Sequence, residues 1–142
     1  RDLVRIGYDN VVGYLTPEGL DRYFEEGHPS ASIPELAFDE LDVALREEAV
    51  AALDVRFASE FVEGHVPGAV NASYTRLPAY LEDRVPRGKT LLVHCATGAR
   101  AAAACAFLAR EGYDVRYVNG SIADYADSHT TATGPAEEPA LV

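Results

Sequence analysis

The sequence predicts an α/β fold in which the strands of a parallel sheet are joined by crossover helices. Four apolar segments rich in strand-favouring residues, 49–55, 68–73, 90–95 and 114–119, alternate along the chain with segments suited to helices. A chain of 142 residues with 48% apolar residues can bury one hydrophobic core of its own. We therefore expect a single domain with shorter segments attached at its ends.

The segment at residues 90–95 is predicted to be a central strand. Residues 91–93 are apolar without alternation, as expected of a strand that is covered on both faces of the sheet. The following segment, residues 98–111, is rich in strong helix formers, and Gly112 is placed to end that helix. Together these two segments predict one complete strand-helix unit.

Shorter elements are predicted before the central strand. A short strand is expected at residues 36–38, with Asp39 capping a helix over residues 40–46. Two further short helices are expected at residues 59–63 and 75–85. Strand and helix therefore alternate from residue 36 onward, as a parallel sheet requires.

The charge of the chain argues against two classes of partner. Its 12 lysines and arginines are outnumbered by 23 aspartates and glutamates, and the resulting net charge of −11 repels nucleic acid and anionic lipid. The charge-free stretch at residues 101–109 is too short to span a bilayer, and no signal-peptide pattern opens the chain. We expect a cytoplasmic protein with no nucleic-acid or membrane partner and, because the chain begins at Arg1 rather than Met, part of a longer protein.

The two ends of the chain differ from its middle. Residues 129–142 are small, polar and without periodicity, which predicts a flexible tail. Residues 4–12 partly repeat residues 109–117, sharing an arginine, the tripeptide Gly-Tyr-Asp and the apolar positions after it. We interpret residues 1–30 as a linker or as the last strand and helix of a preceding module of the same type, and residues 31–128 as the domain. A chance match is the alternative, because Gly-Tyr-Asp is a common turn between a helix and a strand.

The sequence LLVHCATGAR, from Leu91 to Arg100, predicts a catalytic loop. Cys95 ends the central strand and Gly98 begins the helix, so the loop lies at the edge where open α/β sheets bind ligands. Backbone amides from residues 96–100 would converge on the sulfur, and the helix N-terminus favours an anion there. Both effects favour the thiolate of Cys95, which is the nucleophilic form.

Small residues and one cation complete this loop. Gly98 permits a tight curl, and the small side chains of Ala96, Thr97 and Ala99 let the backbone face the sulfur. Arg100 can hold the loop by bonding carbonyls or carboxylates, and its charge adds to the positive potential. The whole pattern of strand, Cys-x-x-Gly-x-Arg and helix therefore favours a catalytic role.

A buried, inert cysteine is the alternative interpretation. A cysteine that follows an apolar strand is most often a core residue, and Arg100 alone could be a solvated helix residue. Cys105 lies in the body of the predicted helix and is expected to be a small core residue. The two cysteines lack the spacing of a zinc site or a disulfide framework, so we expect no metal and no resident cofactor.

With this loop in place, the sequence resembles the rhodanese family of sulfurtransferases. Three segments carry the resemblance, residues 52–73, 91–114 and 115–126, and the first pairs Asp-Val-Arg with the later run Gly-His-Val-Pro-Gly-Ala. The resemblance covers about residues 32–127. It implies a sheet of about five parallel strands with helices on both faces, and a cysteine that carries a persulfide as its covalent intermediate.

The resemblance also implies roles for individual residues. Cys95 matches the sulfur-accepting nucleophile, and residues 96–100 match the loop whose amides stabilise the persulfide. Asp54 and Arg56 match a mainly architectural motif, in which Asp54 would bind loop backbone and Arg56 would pair with Glu60.

Two histidines are candidates for a structural role rather than a catalytic one. His65 sits in a Gly-His-Val-Pro-Gly turn that shapes the chain, so we favour structural support of the site. His94 lies inside the central strand and is expected to be a packing residue with satisfied ring nitrogens.

Loop length separates this sequence from phosphatases with a similar loop, which place five residues between cysteine and arginine. Four residues separate Cys95 from Arg100, a smaller ring that suits one extra sulfur atom and disfavours phosphate or arsenate chemistry. Two features depart from the family. Ala96 stands where thiosulfate-using members often carry a cation, and Tyr125 stands near the position of the family's usual tryptophan.

These observations predict a sulfurtransferase that moves sulfane sulfur from a small donor to a thiol or cyanide acceptor through a persulfide on Cys95. The alternative is a binding, regulatory or sulfur-relay module that does not turn over freely. A fused upstream domain, either rhodanese-like or metallo-β-lactamase-like, is an expected partner in either case.

Overall fold

The computed structural model describes residues 13–135, and the contacts of the chain divide it into two units between Ser32 and Ile33. The first unit has one described helix, α1 (Pro17–Glu25), which begins where the Thr16 hydroxyl accepts a hydrogen bond from the Gly19 amide at 3.1 Å. The strand predicted within residues 4–12 lies outside the described residues. The interpretation of residues 1–30 stays a prediction.

The second unit alternates strands and helices, as predicted. Its strands are β1 (Glu35–Ala37), β2 (Val50–Asp54), β3 (Val70–Asn71), β4 (Thr90–His94) and β5 (Val115–Asn119). Its helices are α2 (Leu41–Ala44), α3 (Ala58–Glu63), α4 (Leu77–Tyr80), α5 (Ala99–Arg110) and α6 (Ile122–Ser128). Single 3₁₀ turns at Phe38–Glu40 and Tyr74–Arg76 precede α2 and α4.

The five strands form one sheet in the order β1-β5-β4-β2-β3, and every pair of neighbours is parallel. The predicted α/β class with a five-stranded parallel sheet is therefore confirmed. Strand β4 lies at the centre of the sheet, and its residues Leu91, Leu92 and Val93 are fully buried. This burial on both faces explains why the segment is apolar without alternation.

Helices cover both faces of the sheet, and a hydrophobic cluster fills the space on each side. On one face, Leu77 of α4 and Leu108 of α5 pack in one cluster with Leu91. On the other face, Phe61 of α3 and Tyr125 of α6 pack in a second cluster with Leu92. The carboxyl ends of β2, β4 and β5 consequently share one edge of the sheet.

Some elements differ from the prediction in length or in capping. Strand β3 has two residues, whereas six were predicted at 68–73. Asp39 does not cap the following helix; the Glu40 carboxylate instead accepts a hydrogen bond from the Ala37 amide at 3.1 Å. The carboxylate one position later is the one that can reach back to the end of β1.

The start of the segment predicted as a flexible tail is hydrogen bonded to the domain. His65 and Ala132 exchange two main-chain hydrogen bonds of 2.9 Å, and the Gly134 amide donates to the Val62 carbonyl at 2.9 Å. These bonds anchor residues 132–134, while residues 136–142 lie outside the described part of the chain. Within residues 13–135, no helix has the length and apolar composition that crossing a bilayer requires.

Candidate active site

The candidate site begins at the end of the central strand, where β4 passes into the loop before α5. Cys95 directly follows β4 and is only 1% exposed. Its Sγ accepts hydrogen bonds from the Gly98 amide at 3.1 Å and the Ala101 amide at 3.4 Å. The backbone thus places two N–H donors on the sulfur, in the environment that stabilises negative charge there.

The backbone of Gly98 makes this curl possible. Its φ angle is +100°, which lies in the left-handed region that residues with a Cβ rarely adopt. The amide of Ile122 donates to the Ala96 carbonyl at 3.2 Å, tying the outer side of the loop to the start of α6. The sequence prediction of a tight glycine turn agrees with this conformation.

Arg100 closes the loop through a carboxylate on a different helix. Its Nη1 and Nη2 atoms donate to Oε2 and Oε1 of Glu60 at 2.6 and 2.8 Å, a bidentate pair that joins α5 to α3. These hydrogen bonds lower the pKa of Glu60 from 4.5 to about 2 and raise the pKa of Arg100. The Arg100 guanidinium is therefore paired with a carboxylate on α3, and its role in holding the loop stays a prediction.

Arg56 pairs with Asp54, so the prediction that Arg56 would pair with Glu60 is wrong. Nε and Nη2 of Arg56 donate to the Asp54 carboxylate, with the Nη2–Oδ2 distance at 2.6 Å, and Nη2 also donates to the Gly64 carbonyl at 2.7 Å. The Asp54 carboxylate also accepts from the Arg56 amide at 2.9 Å. A carboxylate two residues away, buried at the strand end, is reached more easily than one on the next helix.

This ion pair lies beside the strand that leads to Cys95, and its support of the site stays a prediction. Asp54 lies opposite His94 in the β2–β4 register, and the Val55 amide donates to the His94 carbonyl at 3.0 Å. Asn71 of β3 adds two hydrogen bonds from its side-chain amide, to the carbonyls of Asp54 at 3.0 Å and Arg56 at 3.1 Å. The ends of three strands are thereby held together beside Cys95.

His65 packs against helix α3. Its ring stacks on Phe61 with centroids 3.7 Å apart, and its Nδ1 lies 2.8 Å from the Phe61 carbonyl oxygen. These contacts are with α3, and the main chain of His65 bonds to Ala132. The structural role of His65 stays a prediction, and the packing agrees with it.

Comparison with known proteins identifies the family. The family model described as the rhodanese-like domain matches residues 37–128, well over half of the chain. This protein belongs to the rhodanese-like family. A solved rhodanese-related protein from Thermoplasma volcanium is 26% identical and has a TM-score of 0.62, with 70% of this chain and 97% of that chain covered.

Two curated relatives show how far the match extends in sequence. A sulfurtransferase from Allochromatium vinosum is 30% identical over 66 residues, which cover 46% of this chain and 61% of the relative. A tRNA uridine(34) hydroxylase from Bacillus thuringiensis is 34% identical over 88 residues, which cover 58% of this chain and 28% of the relative. This rhodanese-like chain therefore spans less than two thirds of the length of either relative.

His94 of this rhodanese-like domain is buried without the hydrogen bonds that we expected. Neither ring nitrogen has a hydrogen-bond partner in the described part of the chain, and Nε2 lies 4.0 Å from Oδ2 of Asp54. The Phe38 ring packs against the imidazole in a T-shaped arrangement, with centroids 5.4 Å apart. Burial lowers the pKa of His94 from 6.5 to about 4, although the Asp54 charge opposes this.

This burial predicts a specific loss of stability in mild acid. The unfolded chain protonates His94 near pH 6.5, whereas the folded chain resists protonation until about pH 4, so the free energy of unfolding falls as the pH drops through this range. The loss should reach about 2–3 kcal/mol by pH 4.

Urea unfolding at pH 7, 5.5 and 4.5 checks this effect when the wild type is compared with His94→Leu. The variant should lose less stability than the wild type between pH 7 and 4.5, because leucine has no proton to gain. Equal losses in the two proteins would contradict the prediction. The ion pair of Glu60 and Arg100 does not confuse the result, since both proteins contain it and most of its contribution is lost between pH 4.5 and about 2.

Cys105 is fully buried in the core beneath the loop, as predicted. Burial, together with negative charge at Cys95, raises the pKa of Cys105 to about 12. Cys105 is thus a neutral thiol at physiological pH and a poor nucleophile. Among the residues that the structure describes, no group of three or more acidic, histidine or cysteine side chains could hold a metal ion.

Sequence reasoning missed two groups of residues around the loop. Phe57 and Tyr74 lie on the β2–β3 side with ring centroids 6.2 Å apart, and the Arg100 guanidinium lies 5.6 Å above the Phe57 ring. Tyr117 in the middle of β5 and Asn119 at its end lie on the other side. Phe57 could have been suspected from its place directly after the Asp-Val-Arg motif, whereas Tyr117 reads in sequence as an ordinary strand residue.

Proposed function

We propose that this protein is a sulfurtransferase in which Cys95 carries the transferred sulfur. The observation that carries the proposal is the position of the Cys95 sulfur, which accepts hydrogen bonds from the Gly98 and Ala101 amides at the N-terminus of α5. Membership of the rhodanese-like family and similarity to a protein named sulfurtransferase support it.

The proposed reaction has two displacement steps. In the first, the Cys95 thiolate attacks the outer sulfur of a donor R–S–SH; the donor's S–S bond breaks, R–S⁻ leaves, and Cys95–S–SH forms. In the second, an acceptor thiolate attacks the outer sulfur, a new S–S bond forms on the acceptor, and Cys95 leaves as thiolate. Electrons and atoms balance over the two steps, and no metal or oxidant takes part.

The backbone amides would act on the negative charge at each stage. The charge resides on sulfur in the thiolate and in the ionised persulfide, and donors already in place need not reorganise when it moves. The four-residue spacing between Cys95 and Arg100 supports an occupant as small as one sulfur atom.

The rim of the loop favours an organic persulfide over thiosulfate as the donor. Both Nη atoms of Arg100 are bonded to Glu60, and Ala96 offers no cation to a sulfonate group. Phe57 and Tyr74 are 45% and 38% exposed, and an organic donor can pack on their rings. The net charge of −11 argues against tRNA as a substrate, despite the similarity to proteins named tRNA uridine(34) hydroxylase.

Intact mass spectrometry tests the proposal on the purified chain. The protein is first reduced, then incubated separately with glutathione persulfide, 3-mercaptopyruvate and thiosulfate, and each sample is divided and treated with cyanide. We expect a gain of one sulfur that maps to Cys95, forms fastest with the organic persulfide, and is lost to cyanide as thiocyanate. No gain with any donor would overturn the assignment.

A sulfur-relay module of a multidomain protein is the second candidate. The capping residues Thr16 of α1 and Ser121 of α6 lie at the same sequence distance from a Gly-Tyr-Asp tripeptide, so α1 follows its tripeptide in the sequence as α6 does in this domain. None of the residues of α1 is buried, and Phe24 is 52% exposed. A persulfide that forms on Cys95 but is not passed to small thiols would favour this candidate.

A further inference from the structure

Three residues beside the Cys95 loop form a chain of hydrogen bonds that the proposed reaction does not use. The Tyr117 hydroxyl donates to Oδ1 of Asn119 at 3.2 Å, and Nδ2 of Asn119 donates to Oε1 of Glu35 at 2.7 Å. Tyr117 and Asn119 belong to β5, and Glu35 is the register partner of Tyr117 on β1. All three side chains therefore share one face of the sheet.

The direction of these hydrogen bonds is determined at the Glu35 end. A carboxylate only accepts hydrogen bonds, so Asn119 must turn its NH₂ group towards Glu35 and its carbonyl oxygen towards Tyr117. The Tyr117 hydroxyl must then donate to Asn119. Glu35 thereby sets the orientation of the Tyr117 hydroxyl through one intervening side chain.

The Tyr117 hydroxyl packs directly on the glycine of the loop. A Cβ atom added to Gly98 would clash with the Tyr117 hydroxyl oxygen and lie 3.4 Å from Cζ of the same ring. The hydroxyl therefore occupies the space that any other residue at position 98 would fill with its side chain. Gly98 is also the residue whose amide donates to the Cys95 sulfur at 3.1 Å.

The pKa of the same hydroxyl depends on the charge of the Cys95 sulfur. Burial raises the pKa of Tyr117, and negative charge at Cys95 adds to the rise. Tyr117 consequently stays protonated at physiological pH. It acts as a fixed neutral group against the loop and not as a base.

We propose that Tyr117 is a positioning residue for the persulfide loop, holding the Gly98 turn so that its amide stays aimed at the sulfur, while Asn119 and Glu35 hold the Tyr117 hydroxyl in place. The effect on sulfur transfer rests on the proposed function, but the effect on the loop does not. Without the hydroxyl, the turn at Gly98 gains space on one side, and the donor to the sulfur is less well fixed.

The variant Tyr117→Phe tests the proposal, with Tyr113→Phe as the matched control. Tyr113 lies two residues before the start of β5, and its hydroxyl donates to the Leu81 carbonyl at 2.8 Å, at the opposite edge of the sheet. Both variants lose one tyrosine hydroxyl and keep the ring. Only Tyr117→Phe removes a group that contacts the Cys95 loop.

Two measurements are made on each protein. The first is amide hydrogen exchange of Gly98 by ¹H–¹⁵N NMR, which needs no activity and should become about tenfold faster in Tyr117→Phe but not in Tyr113→Phe. The second is sulfur transfer from glutathione persulfide, where kcat should fall about tenfold while KM stays within about twofold, because the amide acts on charge at the sulfur and not on donor binding.

The outcomes separate this proposal from the proposed function. Wild-type exchange at Gly98 together with wild-type kcat in Tyr117→Phe would overturn the positioning role. A wild-type protein that takes up no sulfur would overturn the proposed function alone, since the exchange measurement still decides the role of Tyr117. If Tyr117→Phe fails to fold, Asn119→Ala decides, because it keeps the Tyr117 ring and should speed Gly98 exchange about threefold; unchanged exchange in that variant would overturn the proposal.

Discussion

Replacing Cys95 by Ser is expected to abolish sulfur loading, lowering the rate by at least about a thousandfold. A serine hydroxyl is far less acidic than a thiol and forms no stable bond to sulfane sulfur in water at neutral pH. The fold should survive, because serine is close to cysteine in size and the Gly98 and Ala101 amides can donate to its oxygen. Intact mass spectrometry after incubation with glutathione persulfide measures the loading, and circular dichroism checks the fold.

Cys105→Ala is the matched control for this experiment. Cys105 is the second free cysteine, and it is buried in the core with its thiol kept neutral by burial. We expect this variant to load sulfur at the wild-type rate at 25 °C, with a modest loss of stability from the small cavity. Loading that persists in Cys95→Ser and disappears in Cys105→Ala would reverse the assignment of the nucleophile.

The fold and the position of the Cys95 loop follow from local features of the sequence. The apolar run before Cys95 is unbroken because β4 is buried on both faces, and the small residues after it allow the backbone to turn onto the sulfur. Gly98 adopts a φ angle of +100°, so its identity reports a backbone requirement that can be read without coordinates. Patterns of this kind involve neighbours in sequence, and for that reason they are predictable.

Pairings between distant segments were less predictable. Arg100 bonds to Glu60, which lies on another helix, and an acidic chain with 23 carboxylates offers many alternative partners. Arg56 was expected to bond to Glu60, but the Asp54 carboxylate lies closer and is buried with it. The choice between carboxylates depends on distances of a few ångströms that only the assembled sheet determines.

His94 and Tyr117 show a different limit of sequence reasoning. Both lie in strands where their residue types are unremarkable, and their significance comes from neighbours across the sheet. Phe38 packs against the ring of His94, which has no hydrogen-bond partner within the described residues, and Tyr117 approaches Gly98 because β5 lies beside β4. Neither relation leaves a signal in the order of residues along the chain.

Replacing Asp54 by Ala is expected to lower the free energy of unfolding by about 3–5 kcal/mol. The Asp54 carboxylate is fully buried, and the Arg56 side chain is 7% exposed, so the variant leaves a guanidinium out of water without its counter-charge. Arg56 would keep its hydrogen bond to the Gly64 carbonyl, which compensates for only part of the loss. For a domain of this size the midpoint of thermal unfolding should fall by about 10–20 °C.

A double variant separates the ion pair from the simple loss of a side chain. In Asp54→Leu with Arg56→Met, no charge is left buried, and apolar replacements for a buried pair are often tolerated. We expect this protein to be more stable than Asp54→Ala by about 2 kcal/mol or more in urea unfolding. If the double variant were instead the less stable of the two, the role of Asp54 would lie in its hydrogen bond to the Arg56 amide and in the geometry of the strand end rather than in neutralising the guanidinium.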